Sequence, residues 1–143
     1  MPSLVRILVT IGGGASIGFG VWHFFVPTLW KWYSYIDGRA AELILAVRAI
    51  NIFFSLCLAL LGIVNVLFVL GRKSNRDSII IMLAATSVLW VTRVVLQVIH
   101  PQGSMNPAIQ YGMLAAFVVI SLCFLFPLGI ILSSKTWNDP PPA

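Results

Sequence analysis

Residues 44–70 read ILAVRAINIFFSLCLALLGIVNVLFVL, an apolar run in which Arg48 is the sole charged side chain. A helix rises about 1.5 Å per residue, so the roughly 30 Å hydrocarbon core of a bilayer is crossed by about 20 apolar residues. This run exceeds that length. Lipid offers the backbone no hydrogen-bond partner, so such a segment crosses as a helix, which satisfies its own N–H and C=O groups.

Working outward, residues 7–26, 78–99 and 108–132 pass the same test. Pro27 is read as the end of the first span. Gly71 and the polar run Arg72, Lys73, Ser74, Asn75, Arg76, Asp77 end the second, and Pro101, Gly103 and Pro107 bracket the link before the fourth. The expected fold is all-α: a polytopic membrane protein forming an antiparallel bundle of four transmembrane helices, one integral membrane domain over 1–143 with a tail at 134–143. The first span is longer than a signal-peptide core and ends in Trp22, His23, Phe24, Phe25 and Val26 without a small-residue cleavage site, so it is expected to persist as a helix.

Composition agrees. Of 143 residues, 59% are hydrophobic and 9% charged, against about 25% charged in an ordinary soluble domain. Too little charge is present to coat a water-facing surface, which excludes a soluble globular domain, a disordered chain and a collagen-like one. The net charge of +5 does not point to nucleic acid, because several basic residues lie in or beside apolar runs. The compact cluster Arg72, Lys73 and Arg76 fits a cytoplasmic loop, whereas the third link carries no Lys or Arg. The positive-inside rule then puts both termini and the second link on the cytoplasmic side of what is expected to be a bacterial cytoplasmic membrane. Cys57 and Cys123 sit in long apolar segments without neighbouring metal ligands and read as small apolar fillers.

Between the first two spans lies Trp30, Lys31, Trp32, Tyr33, Ser34, Tyr35, preceded by Phe24 and Phe25. Trp and Tyr combine an apolar ring with a polar atom, so this segment is expected to lie in the membrane interface. The first span contains a GxxxG pair, Gly14 and Gly18, and a small-residue series, Gly12, Ser16 and Gly20. Both let helix backbones approach, within the chain or against a membrane-protein partner.

Charged side chains within a span cost about 2.5–3.5 kcal/mol each even on lenient insertion scales, so Arg48 and Arg93 ask for a reason. Both fall roughly 10 Å or less below the outer boundary at the helical rise. His23, His100, Gln110 and Glu42 lie near that end of their helices. Asn51 is three residues from Arg48, Gln97 four from Arg93, and His100 three from Gln97, spacings that share a helix face. The inner half holds little beyond Asn65. Snorkelling to the headgroups is one reading of the arginines. The other is an outward-opening site in which Arg48 and Arg93 grip an anionic end as bidentate forks.

The leading expectation is therefore a non-enzymatic membrane protein binding an amphiphilic, anionic ligand such as a lipid, quinone or haem. Arg48 and Arg93 hold its charge, and His23, His100, Asn51, Gln97 and Glu42 supply polar contacts. Trp22, Trp90 and Tyr111 line the apolar part. His23 and His100 are the candidate axial ligands should the group be haem. The alternative is an accessory or assembly subunit of a larger membrane complex, contacting its partner through the Gly-rich first helix. An enzyme is the weaker reading, since no HExxH, GxSxG or paired carboxylate occurs.

Overall fold

A computed structural model describes residues 1–71, 75–102 and 106–134. The chain is all-α: α1 (Ser3–His23), the single-turn α2 (Val26–Leu29), a 3-10 turn (Trp32–Tyr35), α3 (Ala41–Leu70), α4 (Arg76–Ile99) and α5 (Pro107–Ser133). Four of these, α1, α3, α4 and α5, are long and apolar enough to cross a membrane, as the sequence predicts. Arg72, Lys73, Gly103 and most of the expected tail lie outside the described residues.

The helix ends are set by local chemistry. The first helix stops at His23, short of the expected Val26, and Pro27 instead lies in the first turn of α2. The ring of a proline conflicts with the carbonyl four residues back and supplies it no N–H, so the break falls upstream of the proline. That carbonyl is His23 O, and Asn51 Nδ2 donates to it at 3.1 Å. The other ends differ from expectation by a few residues at most. Asn75 caps α4 by accepting from the Ser78 N–H at 2.7 Å, and Asn106 caps α5 by accepting from the Ala108 N–H at 3.0 Å.

Two compact units divide the chain, one comprising Met1–Gly12 and the residues from Asn65 onward, the other Gly13–Val64. In the first unit α4 buries Ile79, Leu83, Thr86, Ser87, Trp90 and Gln97, a stripe at helical spacing, and α5 buries Phe117, Ile120, Ser121, Cys123, Phe124, Pro127 and Ile131. Gly12 of α1 packs so closely on α5 that a Cβ there would lie 2.9 Å from Cys123 Cβ. Asn65 Nδ2 donates to Thr86 Oγ1 at 2.7 Å, and Thr86 Oγ1 donates to the Met82 carbonyl at 2.8 Å. This polar chain joins α3 to α4 where lipid could satisfy none of its members.

Arg76 stands in the first turn of α4, where the helix dipole disfavours a cation. Its guanidinium instead reaches the last turn of α5, with Nη2 donating to Ile131 O at 3.0 Å. There it satisfies one of the carbonyls that every helix end leaves without an intrahelical partner, at the end where the dipole favours positive charge.

In the second unit small residues bring α1 against α3. A Cβ on Gly20 would lie 2.7 Å from Ser55 O and from Ala59 N, and one on Gly62 would lie 2.6 Å from Gly13 O. Ser16 is fully buried. Gly14 and Gly18, the pair matching GxxxG, have nothing within 4 Å of a Cβ position. Side chains such as Leu45, Ile50, Phe53 and Val88 are exposed; on helices of this length and composition, acyl chains are the surroundings that suit them.

Candidate functional site

The ten expected site residues fall into both units, and each unit has its own polar and aromatic cluster. In the first unit the cluster forms where α4 ends and α5 begins. Arg93 is half-buried, its guanidinium carbon 4.7 Å from the centroid of the Phe117 ring, and its Nη1 donates to Gln102 Oε1 at 2.8 Å. Phe117 packs in turn on Trp90, with ring centroids 5.8 Å apart. A guanidinium lying on an aromatic face gains from the negative quadrupole of the ring, so this cation is partly compensated without any carboxylate. Among the described residues, Asp37 pairs with Arg39 at 3.5 Å on the exposed link.

Gln97, in the last turn of α4, is 2% exposed. Its Nε2 donates to Gln102 O at 2.9 Å and to Gln110 O at 3.4 Å, and its Oε1 accepts from the Gln102 N–H at 3.3 Å. Gln97 thus ties the link that follows α4 to the first turn of α5. His100 is exposed on that link, with its backbone N–H bonded to Leu96 O at 2.8 Å. The expectation that Gln97 and His100 act from one face does not hold in burial, since one is enclosed and the other is in the open. Trp90 is 1% exposed and belongs to the α4–α5 core beneath Phe117, whereas Tyr111 is 72% exposed.

In the second unit the cluster lies where α1 ends and α3 begins. The His23 ring meets Phe54 edge-on at 4.7 Å and Trp32 at 6.2 Å. Asn51, 6% exposed, caps the broken end of α1 through His23 O, while its own carbonyl is bonded by Ser55 Oγ at 2.7 Å. Asn51 Oδ1 is buried without a hydrogen-bond partner among the described residues. Arg48, one turn earlier, is exposed and lies over the Tyr33 ring at 4.9 Å. Arg48 and Asn51, expected on one face, therefore diverge into the open and into the interior. Trp22 meets Trp30 edge-on at 6.0 Å, and Glu42 is exposed in the first turn of α3, where a negative charge suits the dipole.

Sequence reasoning missed Tyr33 and Phe117 as the platforms of the two arginines, and Gln102 as a partner of both Arg93 and Gln97. Only the aromatic density of residues 30–35 hinted at the first. Among the described residues no group of three or more His, Cys, Asp or Glu could hold a metal ion. What the clusters offer chemically is two guanidinium groups, each laid on a ring, with no carboxylate ion-paired to either among the described residues. Compared with known proteins, the chain matches no family model, no curated protein and no solved structure.

Proposed function

We propose that this is a small, non-enzymatic integral membrane protein that binds an amphiphilic, anionic ligand, with Arg93 holding the charged end. The observation that carries this reading is the state of Arg93, a half-buried cation within a membrane-spanning helix, held in place by Phe117 and Gln102 and ion-paired to no carboxylate among the described residues. Placing such a charge in a span is expensive, and an anion that moves with the membrane offsets the cost. Arg48 on Tyr33 is a second cationic contact of the same kind in the other unit. Exposed Tyr111, next to Gln110 in the first turns of α5, offers apolar surface for a ligand tail. Lipid, quinone and haem all combine an apolar body with a group that a guanidinium can grip. In this reading the protein resides in a bacterial cytoplasmic membrane with both termini on the cytoplasmic side, on the charge asymmetry of the links.

The test is mass spectrometry and an absorption spectrum of whatever accompanies the purified protein. The expected result is an amphiphile that co-purifies with the wild type and declines in Arg93→Ala, with a smaller decline in Arg48→Ala. A Soret band would identify it as haem. The same bound lipids and quinones in wild type and both variants would overturn the reading. A large complex after gentle detergent extraction, carrying no bound amphiphile, would make the chain an accessory subunit instead.

A further inference from the structure

Several donors and acceptors around Arg93 are engaged within the protein. The donors of Gln97 are engaged: its side-chain NH2 bonds the carbonyls of Gln102 and Gln110, and its oxygen takes the Gln102 N–H. The side-chain oxygen of Gln102 is occupied by Arg93 Nη1. Phe117 covers one face of the guanidinium, which leaves its N–H edge as the part a ligand can reach. Beyond that edge Gln102, which is exposed, adds a donor of its own in its side-chain NH2. The Arg93 edge and the Gln102 amide thus present donors side by side.

A quinol or sugar hydroxyl is neutral and leaves the charge of Arg93 unbalanced. A group that only accepts, and carries negative charge, matches the fork of Arg93 and the amide of Gln102 together. Depth favours one such group. Arg93 precedes the end of α4 at Ile99 by six residues, roughly 9 Å along the axis, and a guanidinium on its flexible stem covers much of that distance toward the headgroup layer. Resting on the reading above, we infer that the Arg93 site takes the phosphodiester of an anionic phospholipid, one per chain, and that Gln102 is its second donor.

The experiment is a titration of the detergent-solubilised protein with phosphatidylglycerol, phosphatidylcholine, a long-chain fatty acid and inorganic phosphate, followed by native mass spectrometry. Phosphatidylglycerol is expected to bind once per chain, ahead of phosphatidylcholine and the fatty acid, and inorganic phosphate is expected not to displace it. Arg93→Lys, which keeps the charge and loses the fork, and Gln102→Leu, which removes the second donor from an exposed position, should each weaken phosphatidylglycerol by about fivefold or more. Unchanged affinity in Gln102→Leu with a loss in Arg93→Lys would overturn the role of Gln102 and leave the function standing. Preference for the fatty acid would overturn the phosphate assignment alone, and displacement by inorganic phosphate would overturn the lipid as its source. Equal phosphatidylglycerol binding by wild type, Arg93→Lys and Arg93→Gln would remove both the inference and the reading beneath it.

Discussion

Replacing Gly62 by alanine tests the α1–α3 contact of the second unit at its closest point. The new Cβ would meet the Gly13 carbonyl oxygen at 2.6 Å, and real Cβ contacts essentially never fall below 3.0 Å, so the backbones must part by about 0.4 Å. No rotamer change can relieve this, because the obstructing oxygen belongs to a helix backbone. A gap of roughly half an ångström to an ångström forfeits a quarter to a half of each dispersion contact, and overpacking in well-packed interiors costs about 1–3 kcal/mol. Gly14→Ala and Gly18→Ala are the matched controls, since their added methyl meets nothing within 4 Å and a helical Gly→Ala change in itself favours the helix by roughly 0.5–1 kcal/mol. In mixed micelles titrated with a denaturing detergent, Gly62→Ala should unfold at a lower detergent fraction than wild type, by about 1–3 kcal/mol. The two controls should unfold at or above the wild-type point. A Gly62→Ala protein as stable as wild type, or a Gly14→Ala protein equally damaged, would refute the assignment of which glycines carry the packing.

Asn51→Leu strips the His23 carbonyl of its donor at a helix end that Pro27 cannot serve, and should cost about 1–3 kcal/mol in the same unfolding assay. Asn65→Leu should cost about 0.6 kcal/mol and at most about 1.7, the average and maximum scale of hydrogen bonds between membrane helices; a double-mutant cycle with Thr86→Val should show coupling, and its absence would count against the bond. Arg76→Met removes the donor to Ile131 O and should speed backbone hydrogen exchange in the last turn of α5 while leaving the first turn of that helix unchanged.

The spans were legible because length and apolarity are additive along the chain, and residues 44–70 need no partner to be read. Burial on a helix face was less legible. Gly14–Gly18 and Gly12–Ser16–Gly20 have the same four-residue spacing and point to different sides, and spacing alone does not say which side meets a helix. Arg48 and Asn51 illustrate the same difficulty, because three residues leave an angular offset of about 60° on a 3.6-residue helix and the border between open and enclosed surface runs through it. Pro27 was recognised as a stop, but its effect falls four residues upstream, which moved the end of α1 to His23 and made Asn51 a cap. Tyr33, Phe117 and Gln102 escaped because ring stacking and amide pairing link positions that no local motif connects.

Lys31, between Trp30 and Trp32, takes φ 51° and ψ 40°, a left-handed conformation that costs a side-chain-bearing residue about 1–2 kcal/mol and glycine almost nothing. The corner of the chain and an ammonium group are thus the same residue. A glycine there would ease the bend and erase the charge in one stroke, whereas a glutamine would erase the charge and keep the strained corner.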